Sequence, residues 1–216
     1  MLSSILPKIL PRHVIARKKL YRNQHIDAIL ETTMKKTMIF PSILLFLLLS
    51  CNQFLFAGTL SEEKAKSLAD TEFVFPTDLL KDSPVLIALN IGTSRENGEM
   101  QQEALIDWQN VIESSSFSFQ SAPLYHISVI EGAPFFVRGA IRRGLAESFG
   151  DLIDPKRGAV LFLSKAEKFA KQAEIPIDGE PTMVVVRSDG KITGYVKGRV
   201  DSLALSNLAA IWEKAR

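Results

Sequence analysis

From about residue 71 to the C-terminus, the hydrophobic positions switch period in a regular order. Thr71–Phe75 places Phe73 and Phe75 in alternation, the period of a strand, and Pro76 ends it. Val85–Leu89 is a continuous apolar run, extended through Asn90 to Ile91 and bounded by Pro84 and Gly92. That pattern predicts a central strand buried on both faces. After a polar loop, Gly92–Gly98, the positions Met100, Ala104, Leu105, Trp108, Val111 and Ile112 fall on one face of a helix. Leu124–Ile130 is the next predicted strand, and Ala159–Leu163 the one after it. Between them, residues 131–157 read as an insertion with a helix from Pro134 to Phe149. Ser164-Lys165-Ala166-Glu167 has the spacing of a capping box that opens a helix to about Ala173. A proline-led strand, Pro181–Val186, then meets Ile192–Val196 across an Asp189-Gly190 turn, the sequence of a hairpin. The chain closes with a helix over Ser202–Lys214, its apolar face formed by Leu205, Leu208, Ala209, Ile211 and Trp212.

Early strand–helix alternation requires right-handed parallel crossovers, whereas the late hairpin is antiparallel. The expected architecture is α/β: a mixed central sheet with helices on both faces and a helical insertion. Ahead of it, Gly58–Ala69 carries Thr59-x-x-Glu62, a capping-box pattern, so residues 58–72 are expected to be a tether or short helix. The folded domain is expected over residues 73–216.

The front of the chain has a different character. Lys35-Lys36 precedes an apolar run from Met38 to Leu49, a charged region and a core too short for the about 20 residues of a bilayer span. Residues 34–57 therefore read as a secretory signal. Two processing routes fit. Leu48-Leu49-Ser50-Cys51 resembles a lipobox, with Cys51 lipidated as the mature N-terminus, and Leu55-Phe56-Ala57 before Gly58 suits ordinary signal peptidase. The expected location is exported, as a periplasmic protein or a membrane-anchored lipoprotein. Residues 1–33 are either a basic extension or the product of an upstream start that is not the true one.

Charge follows this division. The 216 residues carry a formal net charge of +2. Residues 1–50 hold 8 Lys and Arg against 2 Asp and Glu, leaving 18 against 22 in the remainder. A mildly acidic domain with no basic stripe excludes a nucleic-acid partner on electrostatic grounds. The single cysteine, Cys51, rules out an internal disulfide.

Gly179–Lys191, the hairpin as far as Gly198, and the preceding elements from Phe73 onward resemble the thioredoxin-like superfamily. This resemblance implies a three-layer α/β fold and a cis Glu180–Pro181 bond beside the loop after the central strand. Two non-redox branches are similar. One is a periplasmic group with a Phe-Val-Arg segment, here Phe136-Val137-Arg138. The other holds the mitochondrial ATP-synthase assembly factor and its bacterial relatives. In redox members a nucleophilic cysteine follows the central strand at a helix N-terminus. This chain has Gly92-Thr93-Ser94-Arg95-Glu96-Asn97 there instead. The resemblance thus implies a groove without thiol chemistry, with Thr93, Ser94, Arg95, Glu180, Pro181 and Thr182 as its binding residues. An extended peptide pairs with the backbone beside the proline in redox relatives, so a protein or peptide partner is expected. The membrane is reached through the lipid anchor or signal.

No cofactor or metal is expected. One histidine beyond the leader, His126, is poor material for a zinc site, and Asp151 and Asp154 read as loop solvation. Arg138, Arg142 and Arg143 read as a solvated helix face, with anion binding as the alternative. Two rival functions remain. One is a non-redox enzyme using Thr93–Asn97 with His126, where a hydroxyl needs an adjacent base. The other is a purely structural lipoprotein. His126 itself reads first as a buried, hydrogen-bonded strand residue.

Overall fold

The computed structural model describes residues 58–216, so the basic extension, the signal and Cys51 lie outside the described residues. The elements in chain order are β1 (Glu63–Ser67), β2 (Glu72–Phe75), β3 (Val85–Ile91), α1 (Arg95–Ser114), β4 (Leu124–Glu131) and α2 (Phe135–Phe149). They continue with β5 (Gly158–Leu163), α3 (Ala166–Ala173), β6 (Thr182–Val186), β7 (Ile192–Lys197) and α4 (Ser202–Ala215). The strands form one mixed sheet in the order β2-β1-β5-β4-β3-β6-β7. β3, β4 and β5 run parallel, while β6, β7, β1 and β2 join as antiparallel neighbours.

β3 lies inside the sheet between β4 and β6, and all seven of its residues are buried. Val85, Ile87, Leu89 and Ile91 enter a core closed by Phe75, Leu79 and the α3 residues Phe169, Ala170 and Ala173. Leu86 and Ala88 point the other way, onto Leu105, Trp108 and Ile112 of α1 and Leu208, Ile211 and Trp212 of α4. Helices therefore cover both faces, as the unbroken apolar run implies. The inserted helix α2 buries none of its residues. It is held from outside: Arg142 pairs with Asp70 at 2.6 Å, and the Arg138 guanidinium lies 5.3 Å from the Phe162 ring centroid.

Two capping boxes read from the sequence do not form. Gly58–Ala69 contains strand β1 instead of a helix, because Ala65 and Ser67 alternate inward while Lys64 and Lys66 face out. Lys66 reaches Glu72 at 3.3 Å across the hairpin. Glu62 accepts from the Thr77 hydroxyl, leaving Thr59 to bond its own amide to the Gln172 carbonyl at 3.1 Å. The sheet thus begins ahead of Phe73, the expected start of the domain. At α3 the N-cap is Lys165, and the first-turn amide of Ala166 donates to Glu131 Oε2 at 2.9 Å. A carboxylate from the end of β4 does the work expected of Ser164, a good partner for a helix N-terminus.

The proline-led turn differs as well. The cis peptides among the described residues are Phe75–Pro76 and Ser83–Pro84, so Glu180–Pro181 is trans. The chain reverses at Gly179, whose φ of +81° is open to glycine at little cost. Gly190, at φ +78°, closes the β6–β7 turn as the Asp-Gly pattern predicts.

Trp108 ties α1 to this end of the fold. It is fully buried and donates its indole N–H to the Gly198 carbonyl at 2.9 Å. Trp108→Phe keeps an aromatic side chain but removes the indole N–H and part of the buried ring volume, and should cost at least about 1–3 kcal/mol. Urea denaturation checks this; an unchanged midpoint would show that the bond contributes nothing.

Candidate functional site

Parallel strands β3 and β4 send their following loops out of the same sheet edge, the edge where open α/β sheets place ligands. β6 is antiparallel to β3 with Thr182 opposite Leu89, so the Gly179–Pro181 segment arrives at that edge too. The fold thus brings Thr93, Ser94 and Arg95 to the same side as Glu180, Pro181 and Thr182. Thr93, Ser94, Arg95 and Glu180 are exposed; Pro181 and Thr182 are buried.

Ser94 is the N-cap of α1, accepting from the Asn97 amide at 3.2 Å, because an extended Ser with a hydroxyl acceptor satisfies an orphan first-turn donor. Its hydroxyl also holds the Glu96 carboxyl below the ordinary range, behind the larger effect of Glu96's own backbone amide. Thr93 donates both its amide and its hydroxyl to Asn97 Oδ1, each at 3.1 Å. Arg95 lies across the helix on Glu99 at 2.8 Å, which raises its pKa. Ser94 meets the Glu96 carboxylate, whose lowered pKa makes it a weak base, Thr93 is spent on Asn97, and both hydroxyls serve the helix start.

Asn97 and Gln101 organise the site. Asn97 Nδ2 donates to the Gly179 carbonyl at 2.9 Å, bolting the α1 N-terminus to the proline loop. The ladder between β3 and β6 ends at Leu89, and the peptide of Ile91 needs other partners. Gln101, fully buried, supplies them: Oε1 accepts from Ile91 N at 3.2 Å and Nε2 donates to Ile91 O at 3.1 Å. The same Nε2 reaches Asn97 Oδ1 at 2.8 Å, and Asn90 donates to the Gly98 carbonyl at 2.8 Å. Sequence reasoning missed this pair. Its signal was Gln101 interrupting the stripe Ala104, Leu105, Trp108, which leaves Met100, expected on the apolar face, 39% exposed.

The backbone beside Pro181 is already occupied. Its carbonyl accepts from Gly198 N at 2.9 Å, Gly179's is taken by Asn97, and Glu180's meets the Thr182 hydroxyl at 3.4 Å. A visiting peptide finds few free acceptors there, so side chains must carry recognition. An apolar contribution stands at the same edge: Phe135 and Phe136, following β4, are 83% and 72% exposed and sit edge to face at 5.8 Å.

His126 is not part of this site. It pairs with Ala88, and Thr93 lies five residues further along the chain, roughly 16 Å at strand rise. Both ring nitrogens are engaged, Nε2 with Gln109 Oε1 at 2.8 Å and Nδ1 with Gln102 Nε2 at 3.4 Å. Burial pushes its pKa down to about 4. His126 therefore does not serve as a base to Thr93 or Ser94. The arginines of the insertion do not gather either, since Arg138 donates to Ala133 O and Arg142 is on Asp70. Asp154 caps its own turn, accepting from Lys156 N at 2.9 Å. Among the described residues, no group of three His, Cys, Asp or Glu side chains could hold a metal ion.

No family model and no curated protein matches this sequence. Solved structures share its fold. Yeast Sco1 with copper bound is similar at a TM-score of 0.50 and 12% identity, over 74% of this chain and 94% of that one. BsSco, of the Sco family of cytochrome c oxidase assembly proteins, is similar at 0.49 and 12%, over 77% and 97%. A third is the exposed lipoprotein thioredoxin of Streptococcus pneumoniae, at 0.42 and 11%, over 69% and 98%. The chain has the thioredoxin-like fold.

Asn97→Ala should orphan the Gly179 carbonyl and free Thr93, at a cost of about 1–3 kcal/mol. Amide exchange at Thr93 should rise with it, and exchange left as slow as in the parent would refute the bolting role. His126 makes a pH prediction. Its folded pKa lies below the ordinary value, so the unfolded chain binds more protons between about pH 4 and 6.5. Stability from this group is complete above pH 6.5 and falls as pH drops toward 4, by on the order of 3 kcal/mol in all. Denaturation from pH 6.5 to 5, above most carboxylate titration, should show the decline in the parent and lose it in His126→Gln.

Proposed function

We propose that this thioredoxin-fold protein works in the cell envelope by binding a protein or peptide partner at the carboxyl edge of its sheet, in an assembly or folding role, and not by thiol exchange. The carrying observation is the loop Gly92–Asn97. Where a redox relative would present a thiol, Thr93, Ser94 and Arg95 stand on a start of α1 whose amides at Thr93 and Asn97 are bonded within the protein. Such a surface presents hydroxyls and no thiol, which suits recognition without thiol exchange. The exposed Phe135–Phe136 pair supports a partner site over a mere spacer, since aromatic side chains dominate contact energetics. The copper of yeast Sco1 is that protein's property, since a likeness at 12% identity shows the fold alone.

The leader supports the location. Lys35-Lys36, the apolar run and Leu48-Leu49-Ser50-Cys51 stand in the order that export machinery reads. Cys51 is the proposed lipid attachment point. Among the described residues no helix is long and apolar enough to cross a membrane.

A photo-reactive residue placed at Arg95 or at Phe136 should crosslink a partner in the envelope fraction, and one at Lys168, on α3 at the opposite face, should not. Equal capture at all three positions, or none, would sink the binding site. The full chain and its Cys51→Ser variant should leave the dithiothreitol reduction of insulin at its uncatalysed rate; acceleration by Cys51→Ser would restore redox chemistry.

A further inference from the structure

The opposite end of the sheet holds a cleft of about 420 Å³, inside the range of small-molecule sites, about 300–1,000 Å³. It lies where the short helix α3 stops covering its face, at the amino ends of β4 and β5. Ile127 and Ala159 form its floor, and Phe73 and Tyr125 stand beside it. Tyr125 is fixed by donating its hydroxyl to Asp82 Oδ2 at 2.9 Å. Burial, then Asp82, pushes its pKa up to about 12, so it remains a neutral phenol.

Two cations, Lys156 and Arg157, line this cleft, and neither has an ion-pair partner among the described residues. They sit on a pinned turn: Lys156 N donates to Asp154 Oδ1 at 2.9 Å, Arg157 N to Asp154 O at 2.8 Å, and Arg157 O accepts from His126 N at 2.8 Å. The Arg157 guanidinium stays 5.9 Å from the Tyr125 ring centroid. Three carboxylates stand at or near the cleft, Asp78 in its lining, and each has a partner other than these two side chains. Asp78 holds Lys81 and the Val74 amide, Asp82 accepts from Tyr125, and Asp154 accepts from the Lys156 amide. Two cations without ion-pair partners among the described residues, at the rim of a cavity lined by Phe73, Tyr125, Ile127 and Ala159, suit an anion with a ring-bearing body.

We propose that this cleft binds a small aromatic carboxylate, its ring on Ile127 and Ala159 between Phe73 and Tyr125, its charge on Lys156 and Arg157. A charge-assisted contact distinguishes the acid from its neutral amide, and losing both cations should weaken it about tenfold or more. Isothermal titration of the full chain with 2-naphthoate tests this, with 2-naphthamide as the uncharged match. The expected result is saturable one-site binding of the acid. Lys156→Gln/Arg157→Gln should weaken it at least about tenfold, leaving weak amide binding and the thermal midpoint unchanged. No saturable binding by the parent, or equal binding of the acid by parent and double variant, would overturn the proposal.

Discussion

Exclusion of water from both faces of β3 is the constraint on which the rest of this molecule depends. A strand so placed cannot leave a polar group to solvent, and an orphaned buried amide costs about 1–3 kcal/mol. The requirement is met along most of the strand by β4 and β6. It becomes acute at Asn90 and Ile91, where the β6 ladder has ended and α1 has yet to begin. Gln101 answers it by holding both the amide and the carbonyl of Ile91. The candidate surface is a consequence: Asn97 is positioned from below by Gln101, and it in turn fixes Thr93 and Gly179.

The same constraint explains why hydroxyls at this edge are not nucleophiles in waiting. Their hydrogen bonds are part of the helix start, and removing them for chemistry would unmake the cap. The histidine that could have served as base lies well back along β4, where burial favours its neutral form. Two side chains that look like partners in a list of residue types thus belong to different layers of the problem. One terminates a helix, and the other fills the space between the sheet and α1.

Much of this was legible in the sequence, and the boundary of legibility is physical. The apolar runs at Val85–Ile91 and Thr182–Val186, and the stripes of α1 and α4, are dictated by burial, so their period shows in any window. Glu63–Ser67 is an outer strand with one buried face and lysines on the other, and its pattern competes with a capping box nearby. What decided it was long-range: Glu62 meets Thr77, and Lys66 pairs with Val160. The α3 cap is similar, since Glu131 lies 35 positions from the amide it serves. At the candidate site the types of residue were readable, but not their employment. Pro181 drew notice as the turn-maker, whereas Gly179 and Asn97 make the turn through a contact spanning 82 positions.

The two ends of the sheet therefore differ in what they leave unsatisfied. At the carboxyl edge the buried groups are paired, and the exposed side chains include Thr93, Ser94, Arg95, Glu180 and two phenylalanine rings. Such groups lose little on meeting a broad surface and cannot enclose a small ligand. At the amino edge, an eight-residue helix is too short to cover its face, and a hollow remains beside Tyr125 with two cations on its rim. A protein surface would fill that hollow poorly, whereas a small anion would be desolvated by it. The two edges thus differ in packing: at the edge where α1 begins the buried polar groups are paired within the fold, and at the other a cleft remains beside Tyr125.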